Sequence, residues 1–393
     1  MDLSAFRPVE RESSYDVCAF CRRGAEQVDE LVAGHDAAMC GDCAAVLHDE
    51  VREQRQAWLR DRIRSLPAPA RIHGWLDERV VGQEQAKRVL AVQVHNHYKR
   101  LALRGMHDTG VMPGKANVLL TGPTGSGKTH LLRTLAHCLD VPFAVVDATT
   151  LTPAGHVGEG VESIAQALLR DCDWDPACAA RGIVYIDEID KLGGADADGN
   201  GVAVQQALLQ LLEGRRLPVT GPRGGRLSMH TRDVLFVAGG AFTQAVDTAS
   251  PGPGFVRPAV AGTGDDPACW LLQQGLIPEL VGRFPVHAAL DAVDVRAMRR
   301  LLVEPPDAPL RQMAALVADE GSELQVTPGA LEQLACNAVA RDTGARGLRG
   351  EVERVMLDVL FELPARADVE RVVVDAVDGD VRAVFQAVQR AAC

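Results

Sequence analysis

The chain has 393 residues, 47% of them apolar and 24% charged, with a formal net charge of −12 from 41 basic and 53 acidic side chains. At about 100 to 200 residues per domain this length predicts two to four domains, and the composition excludes wholesale disorder. The acidic balance excludes a protein whose main work is coating nucleic acid, which carries a basic footprint. The longest nearly unbroken apolar stretch, Val234 to Phe242, is about half of what a membrane helix needs. The first residues (MDLSAFRPVERESS) lack the basic-then-apolar pattern of an export signal. The reading is a cytoplasmic chain with no membrane partner.

Residues 1–14 are polar and predict a loose N-terminus. The next segment, 15–53, holds Cys18, Cys21, Cys40 and Cys43, spaced C-x2-C, eighteen residues, C-x2-C. Each knuckle brings two thiolates to one ion, and two knuckles complete a tetrahedral zinc site. Zinc binding contributes roughly 10 to 16 kcal/mol in small modules, enough to fold a segment with so little apolar core. An iron–sulfur cluster is the alternative for the same ligands. The other six cysteines (Cys138, Cys172, Cys178, Cys269, Cys336, Cys393) are scattered and read as core thiols in a reducing compartment. Residues 1–66 carry nine Arg against thirteen acidic residues. That balance favours a protein-contact, dimerisation or adaptor-binding module over one that binds nucleic acid.

A charged stretch from Asp49 to Ser65 predicts helix. Residues 54–70 predict a linker, because each proline of Leu66-Pro67-Ala68-Pro69-Ala70 disfavours helix at the residue before it. From Arg71 onward helical patterns alternate with short apolar runs at Val118–Leu120, Phe143–Val146, Ile183–Ile186 and Val234–Val237. Each run is too short for a buried helix and sits near Gly or a helical stretch. The pattern predicts an α/β domain over 71–288 with a doubly wound parallel sheet. The Gly/Pro-rich segment Ser250 to Asp266 predicts a long surface loop. Residues 289–393 turn mostly helical, with one strand expected at Val372–Val374, and predict a second, smaller domain.

Gly122-Pro123-Thr124-Gly125-Ser126-Gly127-Lys128-Thr129 fits G-x4-G-K-T between a predicted strand and an apolar helix. Glycines in such a loop let backbone N–H groups wrap phosphates at a helix N-terminus. Lys128 is placed to reach the β- and γ-phosphates and Thr129 to ligate Mg²⁺. Ile183-Val184-Tyr185-Ile186-Asp187-Glu188 is an apolar strand ending in two acids. A strand ending in Asp-Glu is a weak signal alone and a strong one after a phosphate loop. Asp187 is expected to hold Mg²⁺ through water and Glu188 to polarise the attacking water. The predicted reaction is hydrolysis of ATP with Mg²⁺ neutralising the developing charge.

Five motifs then stand in order: Val81-Gly82-Gln83-Glu84-Gln85-Ala86-Lys87, the phosphate loop, Ile186-Asp187-Glu188-Ile189-Asp190-Lys191, Gly275-Leu276-Ile277-Pro278-Glu279 and Gly344-Ala345-Arg346-Gly347-Leu348-Arg349. With the cysteine module, they make residues 15–380 resemble the ClpX family, AAA+ unfoldases that feed the ClpP peptidase. The resemblance implies a P-loop AAA+ fold, with a large ATPase domain and a smaller, mostly helical lid domain, behind a four-cysteine zinc module. It places Val80 and Val81 beside the adenine. It makes Arg283 an arginine finger acting on ATP of a neighbouring subunit, so that the active form is a homo-hexamer. It makes Arg346 the lid arginine that reports on the γ-phosphate.

The departures from the family cluster in its substrate and partner loops. Gly155-His156-Val157-Gly158 stands where the family has a Tyr gripping the translocated chain, so His156 and Val157 are the expected pore residues. The stretch from Lys191 to Val204 is short and carries Asp196 and Asp198. The pore-entrance loop is reduced to Gly225-Arg226-Leu227-Ser228, and the peptidase-docking loop to Pro253-Gly254-Phe255. The implied function is ATP-driven unfolding and translocation of protein substrates as the specificity subunit of a Clp protease. The alternatives are a paralogue that remodels proteins without ClpP, a nucleic-acid-remodelling motor, and an ATPase switch that regulates assembly without translocating.

Overall fold

The computed structural model describes residues 7–8, 16–34, 37–51, 66–104, 113–152, 160–193, 200–221, 225–242, 267–341, 344–366 and 368–387. His156, Val157, Asp196, Asp198, Pro253 and Phe255 lie outside the described residues, as do 52–65 of the expected charged helix. The chain divides into two compact units, Met1–Leu66 with Leu101–Thr109 and Pro67–Arg100 with Gly110–Cys393.

In the first unit, strands β1 (Arg7–Pro8), β2 (Leu31–Ala33) and β3 (Ala38–Cys40) form an antiparallel sheet in that order. A helix, α1, covers 41–51. The buried cluster here is Cys18, Leu31, Ala38 and Cys40. A cluster that small, half of it cysteine, offsets little of the chain entropy that folding removes. The module needs another source of stability, which the thiols supply by geometry described below.

The second unit opens with α2 (Pro69–Asp77), which begins inside the expected linker. Pro69 is its first residue, where a missing N–H costs nothing and the fixed φ suits a helix. There follow α3 (Glu84–Arg104), β4 (Val118–Thr121), α4 (Lys128–Leu139), β5 (Phe143–Asp147), α5 (Glu162–Asp171), α6 (Pro176–Ala179), β6 (Ile183–Asp187) and α7 (Asn200–Glu213). A hairpin of β7 (Arg216–Thr220) and β8 (Arg226–His230) then leads to β9 (Leu235–Gly240). After it come α8 (Pro267–Gln273), α9 (Pro278–Val281) and β10 (Val286–Ala289). The main sheet has the order β10-β4-β9-β6-β5, with every pairing parallel. Its three central strands, β4, β9 and β6, are buried and mostly apolar, and the large core gathers on the sheet from α5, α7 and the strands themselves.

The four expected strands are present, three of them within one residue of their runs and β9 starting one residue later and ending three residues later than its run. The fifth, β10, reads Val-His-Ala-Ala and carries too little apolar signal to stand out. It is a strand because β4 offers it an open parallel edge. The β7–β8 hairpin was likewise unmarked in the sequence.

The remaining elements are α10 (Val295–Val303), α11 (Pro309–Asp319), β11 (Glu323–Val326), α12 (Pro328–Ala340), α13 (Arg346–Glu362), β12 (Val369–Val377) and β13 (Asp380–Ala387). The strand expected at Val372–Val374 is longer than the apolar run, because it pairs parallel with β11 and antiparallel with β13. Asp378 and Gly379 form the connecting turn, both with positive φ (53° and 82°). Asp-Gly between alternating residues is a strong hairpin signal, and it could have been read from the sequence.

Candidate functional site

All five parallel strands point their C-terminal ends the same way, where α/β sheets bind ligands. At that end the loop after β4 and the acids closing β6 line one cavity of about 580 Å³. Its walls include Thr124, Gly125, Gly127, Lys128, Thr129, Asp187, Glu188 and Arg346, all expected at the site. His130, Arg133, Asp190 and Lys191 also line it and were not expected there. Four cationic side chains thus face three carboxylates across one space, which suits a polyphosphate carrying a divalent ion.

Helix α4 starts at Lys128 with no side chain capping its N-terminus. Its first N–H groups are therefore left for an anion. Lys128 is nearly buried, and its Nζ donates to the carbonyls of Gly122 at 2.6 Å and Pro123 at 3.1 Å. Burial holds Lys128 below the ordinary lysine value. Ser126 Oγ is buried without a hydrogen-bond partner. Both features fit residues shaped for phosphate, which would satisfy the orphaned groups.

Thr129 Oγ1 donates to Asp187 Oδ2 at 3.1 Å, so the two expected Mg²⁺-holding side chains touch. Asp187 Oδ1 accepts from the Tyr185 hydroxyl at 2.9 Å and from the Glu188 N–H at 3.0 Å. Glu188 itself is exposed to the cavity and has a left-handed backbone, φ 56°. Burial, reinforced by the Asp187 charge, pushes the Tyr185 phenol far above its usual value and keeps it a donor.

Arg346 opens α13, and the residue before it binds the phosphate loop: Ala345 N–H donates to the Gly125 carbonyl at 3.2 Å. Val80 is buried and Val81 half-buried, on the approach to Gln83. Gln83 donates to the carbonyls of Ser126 (3.3 Å) and Asp291 (2.9 Å) and accepts from the Asp291 N–H at 2.9 Å. This stitches the phosphate loop to the segment after β10, a role no local pattern announces. Arg283 does not line the cavity. It is half-exposed, ion-paired with Glu213, and held by Asn117 Nδ2 donating to its carbonyl at 3.0 Å.

The second site lies in the first unit. The sulfurs of Cys18, Cys21, Cys40 and Cys43 all lie within 4.8 Å of one another, and all four thiols are free. Cys21 Sγ and Cys40 Sγ are 3.7 Å apart. A tetrahedron with Zn–S bonds of about 2.3 Å has S···S edges of about 3.8 Å, whereas a disulfide needs about 2.05 Å. The cage therefore fits one zinc ion, and a multi-iron cluster would need a wider one. The Cys21 backbone N–H, then those of Cys40 and Phe20, pull Cys18 down to about 6 against its burial. Cys21 is lowered by the Arg23 backbone and side chain, while Cys43 is pushed up to about 12, first by the neighbouring Cys40 thiol and then by burial. The turn that builds the first knuckle closes with Arg22 N–H on the Cys18 carbonyl and Cys18 N–H on the Arg23 carbonyl, both 2.9 Å. Among the described residues no helix is long and apolar enough to cross a membrane.

Three family comparisons fall on these parts. Residues 16–53 match the ClpX C4-type zinc finger, 114–287 the AAA domain (Cdc48 subfamily), and 307–376 the C-terminal, D2-small domain of ClpB protein. Among curated proteins, the chain is 39% identical over 383 residues to the "ATP-dependent Clp protease ATP-binding subunit ClpX" of Borrelia duttonii (strain Ly). It is equally similar to the same-named protein of Borrelia recurrentis (strain A1). Each alignment covers 91% of this chain and 89% of the relative. With a four-sulfur cage in its N-terminal segment and the Gly122–Thr129 loop, the Asp187–Glu188 pair and Arg346 around one cavity, the chain belongs to the ClpX family of AAA+ ATPases.

Proposed function

We propose that this chain hydrolyses ATP to unfold protein substrates and thread them onward, as the specificity subunit of a Clp-type protease. The observation that carries the ATPase reading is the single cavity on which Lys128, Asp187, Glu188 and Arg346 converge. Lys128 binds the β- and γ-phosphates once it leaves the Gly122 and Pro123 carbonyls. Thr129 and Asp187 hold the Mg²⁺, which supplies charge neutralisation on the transferred phosphoryl group when bound. Glu188 takes a proton from the attacking water. Val80 and Val81 flank the adenine. Arg346 ties lid position to the γ-phosphate, since the same turn that presents it bonds Gly125.

Arg283 lies outside the lining of its own cavity, paired with Glu213, which suits action on a neighbouring subunit's ATP in a homo-hexameric ring. The zinc module serves as a protein-contact element, for adaptors or for a second copy of itself, and the molecule works in the cytoplasm. The curated relatives are named as ATP-binding subunits of Clp protease, and that name supports the peptidase partnership.

The test uses the full chain and a stable reporter carrying a degradation tag, with and without the peptidase of the same cell. Wild-type protein is expected to unfold the reporter only with ATP. Lys128→Ala should lose nucleotide binding. Glu188→Gln should bind ATP and fail to turn it over. Wild-type turnover by Glu188→Gln would remove the assigned base, and ATP hydrolysis without any unfolding would favour a switch over a motor.

A further inference from the structure

We infer that Tyr185 is a positioning residue for the divalent cation: its hydroxyl fixes the rotation of Asp187 so that Oδ2 stays turned toward Thr129, and Gly239 is the residue that leaves room for that hydroxyl. The inference rests on reading the cavity as the Mg·ATP site.

Tyr185 is fully buried on β6, between Val184 and Ile186, which are fully buried as well. A phenol in such a place is costly unless its hydroxyl finds a partner. The partner lies two residues on, on the same face of the strand, because side chains alternate with a period of two. The Tyr185 hydroxyl donates to Asp187 Oδ1 at 2.9 Å. The Glu188 N–H donates to the same oxygen at 3.0 Å, while Oδ2 accepts from Thr129 Oγ1 at 3.1 Å. Two donors on Oδ1 fix the carboxylate's rotation, and the lone pairs left on Oδ2 face the side chain expected to ligate the ion. Mg²⁺ demands near-ideal geometry and keeps most of its waters. A carboxylate already turned to the right angle therefore has an advantage over one that must be ordered on binding.

The neighbouring strand is built around this hydroxyl. In β9, Val237 pairs with Tyr185 and Ala238 with Ile186, so Gly239 falls one step beyond. A Cβ on Gly239 would stand 2.1 Å from the Tyr185 hydroxyl oxygen and 2.7 Å from two of its ring carbons. No other residue fits there unless the phenol moves off Asp187. A phenylalanine at 185 would fill the same core and leave the slot empty, so packing alone does not account for a tyrosine facing a glycine.

The experiment is a Mg²⁺ titration of fluorescent ATP-analogue binding to the full chain, with affinity in EDTA and thermal unfolding in EDTA measured alongside. Outer-shell partners of a metal ligand typically change metal affinity by about 10- to 100-fold. For Tyr185→Phe, half-saturating Mg²⁺ should rise about tenfold, with EDTA affinity and melting within about twofold and a degree or two of wild type. Gly239→Ala should give the same Mg²⁺ signature from the other side of the slot, and if it does not fold, Tyr185→Phe decides alone. A folded Tyr185→Phe protein with an unchanged Mg²⁺ titration overturns the inference. So does an equal loss of affinity with and without Mg²⁺, which would mark a merely structural residue. A wild-type protein with no Mg²⁺ dependence at all would bring down the reading of the cavity itself, a result distinct from either.

Discussion

Gly344→Ala is the sharpest available probe of how Arg346 is seated in the cavity. Gly344 has φ 57°, and a Cβ built on it would lie 2.7 Å from Gly125 Cα and 2.9 Å from the Gly125 carbonyl carbon and oxygen. A left-handed conformation costs a side-chain-bearing residue about 1 to 2 kcal/mol. Overpacking against a neighbour that cannot rotate away adds about 1 to 3 kcal/mol. Here that neighbour is the backbone of the phosphate loop. The strain is relieved when the turn lifts off, which gives up the Ala345–Gly125 hydrogen bond and withdraws Arg346 from the cavity. The seated state therefore loses about 2 to 5 kcal/mol, and even a third of this, absorbed nowhere else, is about three- to seventeen-fold in affinity. The assay is fluorescent-nucleotide binding and steady-state ATPase activity beside thermal unfolding. Gly350→Ala is the control, because it lies in α13, the helix that Arg346 opens, with nothing within 4 Å of its Cβ. That change should leave binding alone and stabilise by about 0.5 to 1 kcal/mol. A Gly344→Ala protein with wild-type affinity and turnover would refute the seating argument.

The other predictions are simpler. Burial, then the Arg100 and Lys115 charges, holds His97 near 3 against 6.5 in the open chain. The unfolded state therefore binds the extra proton between those values, and stability should fall as pH drops from 6.5 toward 3. His97→Gln should flatten that fall in denaturant titrations, and an unchanged slope would show that other groups cause it. Metal analysis should find one zinc per chain, and chelation should abolish amide protection in 16–51 while nucleotide binding survives; iron, or protection unaffected by chelation, would contradict the cage. Arg283→Ala should lower turnover by about 10³-fold or more, and mixing it with Glu188→Gln subunits should restore part of the rate, whereas full activity in a monomer would exclude action between subunits. Glu351 is fully buried between Arg341 (2.6 Å) and Arg354 (3.3 Å), both about half exposed. Because those arginines can turn to water, Glu351→Gln should cost about 1 to 2 kcal/mol rather than the 3 to 5 of a stranded charge, and a neutral result by denaturant unfolding would show the pair contributes nothing.

What could be read without a structure was whatever a contiguous stretch encodes. The run Gly122 to Thr129 needs only its own glycines and the helix after it to shape a phosphate cradle. Two C-x2-C knuckles declare a four-sulfur cage by spacing alone. Short apolar runs announced four of the five parallel strands, and Asp378-Gly379 carried a hairpin that went unread. The roles expected of Arg346 and Arg283 came only from resemblance, since a lone arginine has no periodicity to betray a role.

The order of the strands was decided only in three dimensions, and it determines the rest of the site. Placing β9 between β4 and β6 sets Gly239 against Tyr185 and leaves room for the hydroxyl that reaches Asp187. Closing β10 onto β4 brings Asp291 to Gln83, 208 positions away in the chain. Folding α13 back lays Gly344 on Gly125. Hydrophobic alternation and turn chemistry act over a few residues and are written locally. Which backbone meets which across the sheet depends on how whole layers bury their apolar faces together, and no single stretch of this chain contains that information.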